Sequence, residues 1–259
     1  MKVVKLLMLA PALALGACTS NGATLSFSLT SRRAGAPVAS APFAAAAIAP
    51  AVTASGDSTV IALGSDTVIV RSVELVLRQI ELKRADVAAC DAVEGNGDCE
   101  EFETGPTLVS LPLGSTAITQ QVAVNAPAGT YDALEFEIHK PSSGEDAAFV
   151  AAHPDFANIS IRVTGTYSQA GTRSDFVFTS DVDQSEEMNL VPPLTVQDGQ
   201  AANVTLRVDI SGWFLNAAKS ALVDPASANP GQPNQSVVAN NIQNSFGAFE
   251  DDNRDGVED

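Results

Sequence analysis

SVELVLRQIELKR, residues 72–84, is the stretch on which the fold class turns. Val73, Leu75 and Leu77 alternate with polar or outward positions, the two-residue period of a half-buried strand. Ile80 and Leu82 then continue the alternation in the opposite phase. An extra residue near Arg78–Gln79, a β-bulge, would produce that switch. The competing reading is a helix, with Val73, Leu77 and Ile80 on one stripe and Glu74 and Arg78 paired one turn apart. The strand is preferred because its neighbours on both sides are strand-like.

Upstream, Val60–Leu63 and Thr67–Val70 are short apolar runs separated by Gly-Ser-Asp. Downstream, Thr107–Leu113 and Ala117–Val124 read as strands, and NAPAGTY (125–131) supplies a turn. Leu134, Phe136 and Ile138 alternate with Glu135, Glu137 and His139. Ile159, Ile161 and Val163 lead through Tyr167 and SQAGT to Phe176 and Phe178, the pattern of a hairpin. Val204, Leu206, Val208 and Ile210 alternate with Thr205, Arg207 and Asp209, and Trp213-Phe214 follow. Many short alternating strands with turn residues between them predict an all-β chain, an antiparallel β-sandwich. SVVANNIQNSFGAF places Val238, Ile242, Phe246 and Phe249 at helical spacing, which predicts one short C-terminal amphipathic helix.

The expected organisation is a leader at 1–17, a tether at 18–22, and a possible first strand with an Ala/Pro-rich linker or loop at 23–58. A sandwich domain at 59–233 follows, then the helix and an acidic tail at 234–259. Leu25, Phe27 and Leu29 alternate with serine and threonine. If they join the main sheet, the linker becomes an insertion between strands.

MKVVKLLMLAPALALGAC carries Lys2 and Lys5 and then an apolar run from Leu6 to Leu15, a secretory leader. A membrane-spanning helix needs about 20 apolar residues. Leu15-Gly16-Ala17-Cys18 resembles the lipobox of bacterial lipoproteins. The resemblance implies cleavage before Cys18, lipid on that residue, and a cell-envelope location held by two or three acyl chains. Thr19 in place of aspartate implies, by the same resemblance, the outer membrane. An ordinary leader with a chance cysteine is the alternative.

The chain has three cysteines. Cys90 and Cys99 bracket the polar segment DAVEGNGD, and an exported protein meets oxidising conditions, so a Cys90–Cys99 disulfide is expected. A loop this short would restrain the unfolded chain by about 2–3 kcal/mol. The alternative, a metal pair, lacks further cysteine or histidine ligands nearby.

With 31 acidic and 14 basic residues the net charge is −17. Nucleic acid is excluded as a partner by that balance, because phosphates require a basic surface. Cation binding fits it. FEDDNRDGVED (249–259) contains the alternation Asp251, Asn253, Asp255 followed by Gly256. An EF-hand would need a bidentate glutamate at the twelfth position, beyond Asp259. The remaining set, Asp251, Asn253, Asp255 and Asp259, resembles the shorter calcium loops of thrombospondin-type repeats. It is a candidate Ca2+ site, set against a plain acidic terminus.

Glu135, Glu137 and His139 share one strand face and could hold a cation, with a solvated outer face as the preferred alternative. His153 is the only other histidine. No nucleophile elbow, phosphate loop, zinc-protease or dinucleotide motif is present. Trp213 reads as core or lid rather than as a sugar platform.

SVELVLRQIELKR, GTYDALEFEIHKP, NVTLRVDISGWF with the later LVDP, and SFGAFEDDNRDGVED resemble blocks of a family of uncharacterised secreted bacterial lipoproteins. The likeness spans roughly residues 23–259. It implies a transthyretin-like or prealbumin-like sandwich in the envelope and carries no catalytic residues. Two functions are therefore expected in order: a non-enzymatic binding or structural protein with a protein or glycan partner, then a hydrolase of envelope polymers using Glu135 and Glu137.

Overall fold

The computed structural model describes residues 23–31, 49–85, 99–103, 105–114, 118–256 and 258, with the backbone alone at 99–103, 120 and 121. The strands are β1 (Ala23–Thr30), β2 (Ala51–Ser55), β3 (Ser58–Leu63), β4 (Asp66–Arg84), β5 (Cys99–Glu103), β6 (Thr107–Ser110), β7 (Thr119–Ala126) and β8 (Gly129–Ile138). Helix α1 (Ala147–Ala152) follows, then β9 (Ile161–Gln169), β10 (Thr172–Ser180), β11 (Gln184–Val196), β12 (Ala201–Val208), helix α2 (Gln235–Gln243) and β13 (Phe246–Glu250). They form a nine-stranded and a four-stranded sheet, an all-β sandwich with a short helix near its C-terminal end.

Strand β4 is the spine of the larger sheet. Its 19 residues pair with β3, β6 and β5 along one edge and with β9 and then β8 along the other. The segment 72–84 is thus strand, as its neighbours suggested. Gln79 has φ 52°, and the ladder to β8 shifts register between Arg78 and Glu81. The bulge lies where the phase of the apolar residues changes. A second shift, between Val70 and Ser72, moves the buried set from Val68 and Val70 to Val73, Leu75 and Leu77. Side chains alternate with period two, so each inserted residue flips the face that follows. Two bulges keep one face of a long coiled strand on the core throughout.

The strands β9 and β10 form the expected hairpin across Ala170 and Gly171, both at positive φ. Such a turn matches the twist of the strands. Gly165 in β9 is required by close approach: a Cβ there would lie 2.1 Å from the Ile69 carbonyl oxygen.

In the four-stranded sheet, order β13-β12-β1-β7, β1 is an interior strand. The segment 23–30 therefore belongs to the sandwich. Ala51–Ser55, expected within the linker, is strand β2 paired with β3. The pairing is antiparallel throughout the described strands except that β1 runs parallel to β12. Leu25, Phe27 and Leu29 join Val204, Leu206 and Val208 in the core. Phe246 of this sheet meets Phe136 of the other at 5.4 Å between ring centres.

Two further corrections concern elements. The predicted helix through Phe249 ends at Gln243, and Phe246–Glu250 pairs with β12 as an edge strand. Helical spacing fits Val238 and Ile242, which are buried. The open edge of β12 recruits the phenylalanines into a ladder instead. Strand β11 carries no clear strand pattern in the sequence, because Pro192 and Pro193 interrupt QSEEMNLVPPLTV. They occupy a register shift between Asn189 and Leu194, where a lost ladder donor is tolerated. Trp213 is fully buried and donates its Nε1–H to Ser245 Oγ at 2.8 Å, so it is core rather than a sugar platform. Among the described residues no helix is long and apolar enough to cross a membrane.

Candidate functional site

The end of β8 gathers the densest polar chemistry of the described residues. Glu135 and Glu137 are half-buried on the strand. His139, one residue beyond the end of β8, is 2 % exposed. The expected solvated face therefore fails at His139. Its backbone N–H donates to the Val76 carbonyl at 3.0 Å, which draws the chain inward as β8 ends.

Three carboxylates approach the buried ring from different elements. Asp146, immediately before α1, places Oδ2 at 2.9 Å from His139 Nε2. Asp146 occupies the N-cap position but makes no side-chain cap bond. Its Oδ2 accepts from His139 and from the Ser142 N–H. Burial works against its charge, but the hydrogen bonds from His139 and Ser142 outweigh it and hold its carboxyl below the usual range. On the other side of the ring, Nδ1 lies 3.5 Å from Glu137 Oε1 and 3.5 Å from Asp183 Oδ1, in the β10–β11 loop. Nδ1 has no hydrogen-bond partner. Glu137, His139 and Asp183 present one atom each within 4.8 Å of one another.

Arg78, at the β4 bulge, holds Glu137 in a two-pronged pair. Its Nε donates to Oε2 at 2.8 Å and its Nη2 to Oε1 at 3.0 Å. This fixes the carboxylate in orientation.

Next to this group lies a cleft of about 320 Å³ lined by Gln79, Glu81, Glu135, Glu137, Glu186 and Glu187, among others. Glu135 and Glu187 face each other across the β8–β11 ladder. Burial, and then the adjoining Glu187, push the Glu135 carboxyl above its usual range, while Lys83 opposes them. Lys83 Nζ stands 3.9 Å from Glu135 and 3.8 Å from Glu187. Burial also raises Glu186. The cleft suits cations or cationic groups and repels phosphates.

The C-terminal loop is not a loose tail where it is described. Asp251 is fully buried. Its Oδ2 accepts from Thr205 Oγ1 at 2.9 Å and the Gly256 N–H at 3.0 Å, and its Oδ1 from the Asp255 N–H at 3.0 Å. Burial raises its carboxyl above the usual range against those hydrogen bonds. Asn253 Oδ1 also accepts from the Asp255 N–H, and Asp252 accepts from the Asn203 N–H. Arg254 donates to Ser26 Oγ at 3.1 Å, and Ser28 Oγ to Asn203 Oδ1 at 2.8 Å. The loop thus covers the outer face of β1 and β12, which is why the serines of that strand are buried. Asp251 serves the fold here, bringing Asn253 and Asp255 beside it. Asp259, the fourth expected ligand, lies outside the described residues, as do Cys18 and Cys90. Cys99 opens β5 and is described by its backbone.

No family model, curated protein or solved structure matches this chain. The site must therefore be read from its own geometry. The sequence placed Glu135, Glu137 and His139 together but not Asp146, Asp183 or Arg78. His153, the other histidine, lies against Phe149 at 4.7 Å between ring centres and takes no part. The missed partners carried no local signal, because three separate elements deliver them.

Proposed function

We propose that this chain is a lipid-anchored bacterial envelope protein, a β-sandwich that binds a partner or builds the surface and does not catalyse a reaction. The anchor rests on the run Leu15-Gly16-Ala17-Cys18, and the position of β1 is compatible with it. Ala23 begins that strand five positions after Cys18, and five residues span at most about 18 Å. Ala23 pairs with Ala126, and the Thr24 N–H bonds the Gln200 carbonyl. With lipid on Cys18, the β7–β8 and β11–β12 turns would share the anchored end. Strand β8 rises from that end for ten residues, about 30 Å, and delivers Glu137 and His139 at the far end. Lipid on Cys18 would hold the turns at the outer membrane and present the acidic site away from it.

A non-enzymatic role is supported by how the carboxylates are engaged. Glycoside cleavage needs two carboxyl groups about 5–9.5 Å apart. Glu135 faces Glu187 across the ladder with Lys83 Nζ 3.9 Å away, and Glu137 is locked by Arg78. A protein or glycan carrying cationic groups fits this cleft, and nucleic acid does not. The reading includes the likeness of residues 23–259 to uncharacterised secreted lipoproteins with a transthyretin-like sandwich.

The test is expression of the full chain in a Gram-negative host with labelled fatty acid. The chain is expected in the outer-membrane fraction, labelled, and Cys18→Ser should lose the label and leave that fraction. Equal distribution of both, unlabelled, would overturn the anchor.

A further inference from the structure

We infer that Glu137, His139 and Asp183 form a binding site for one divalent transition-metal ion of the zinc class, with Asp146 positioning the histidine. The inference concerns the folded domain and is independent of lipid on Cys18.

The His139 ring is 2 % exposed. Its Nε2 lies 2.9 Å from Asp146 Oδ2, and its Nδ1, buried without a hydrogen-bond partner, faces two carboxylate oxygens. At 3.5 Å from each it is too far for a hydrogen bond, which needs about 2.7–3.2 Å. Two ligands of a tetrahedral zinc ion, each about 2.1 Å from the metal, lie about 3.4 Å apart. The spacing fits two edges of a coordination tetrahedron and not a proton bridge.

The surroundings have the form that metal-bound histidines require. A ligating imidazole donates its other N–H to a carboxylate, which fixes the tautomer and raises its basicity. Asp146 does this. Ligating carboxylates are themselves anchored. Arg78 holds Glu137, leaving Oε1 a second lone pair, and the Lys140 N–H donates to Asp183 Oδ1 at 3.2 Å. Glu137, Asp146 and Asp183 bring three negative charges around the ring against the guanidinium of Arg78, a deficit that a dication offsets. One nitrogen and two carboxylate oxygens favour zinc and its neighbours over calcium, which takes six to eight oxygens. Three protein ligands leave a fourth position for water or a ligand group. Entry is available because the Asp183 side chain is 43 % exposed.

The experiment is titration of the full chain with zinc chloride by calorimetry, with cobalt(II) absorption as a second readout. One ion per chain is expected, with the visible bands of four-coordinate cobalt. Asp183→Asn, half exposed and not needed for the core, should weaken binding by about tenfold or more. Asp146→Asn should weaken it by about 10–100-fold, and His139→Gln should abolish it. Calcium should not displace zinc. Nitrogen-15 spectra should show the His139 Nδ1 resonance shifted when zinc is added. Zinc affinity unchanged in Asp183→Asn and His139→Gln, as binding through cysteines would give, would overturn the site. No saturable binding to millimolar zinc, or an Nδ1 resonance that zinc does not shift, would do the same.

Discussion

At Asp251 a residue that reads as a calcium ligand is a fastener of the sandwich. Its two carboxylate oxygens accept three hydrogen bonds from Thr205, Asp255 and Gly256, so removing them strands two buried donors, the Thr205 hydroxyl and the Gly256 N–H, while the Asp255 N–H keeps Asn253. Each unsatisfied group costs about 1–3 kcal/mol, and partial relaxation recovers some of it. Asp251→Ala should therefore destabilise the protein by about 2–4 kcal/mol, measured by urea unfolding without added metal. The same loss in calcium-free and calcium-loaded buffer would assign Asp251 to the fold alone. A larger loss in calcium would show that the loop also holds the ion. The alternation Asp251, Asn253, Asp255 was legible in the sequence. That Thr205, 46 positions earlier, would point at the first of them was not.

At the scale of elements, β4 shows how much a period-two pattern conveys. The phase change between Leu77 and Ile80 predicts the bulge at Gln79, since a flipped face leaves its mark on consecutive residues. Deleting Gln79 should turn Ile80 and Leu82 out of the core while β8 and β5 still demand the present register. The variant is expected to lose cooperative thermal unfolding and to bind a hydrophobic dye. A sharp transition within a few degrees of the parent would mean that the bulge is dispensable. The same pattern rule misleads at the C-terminus. Val238, Ile242, Phe246 and Phe249 satisfy a helical period, yet the ladder offered by β12 takes the last two. Strand β11 shows the opposite failure, where prolines hide a strand that an edge position and a register shift accommodate.

Across the whole molecule, like charges crowd one another. A net charge of −17, with five glutamates along one cleft, loads the folded state with self-repulsion. Screening lengths fall from about 30 Å at 0.01 M to about 8 Å at 0.15 M salt. The melting temperature should rise over that range in sodium chloride, and Glu135→Gln should reduce the rise. A melting temperature that falls with salt would mean that attractive pairs such as Arg78–Glu137 outweigh the repulsion.

The sequence by itself determined the all-β class, the hairpin at Ala170–Gly171, the phase change in β4 and the acidic character of the molecule. Each follows from neighbours along the chain. It also carries the expectations of a leader, lipid on Cys18 and a Cys90–Cys99 bridge, which rest on motif and spacing. The tertiary structure decided that β1 is interior and parallel to β12, that the C-terminal loop seals its outer face, and that His139 is buried. It also brought Asp146, Asp183 and Arg78 to the end of β8. The reason is that burial and donor geometry depend on which distant elements meet. Four side chains of the site lie within residues 137–183, but β8, the turn before α1, and the β10–β11 loop must fold together before they share one volume.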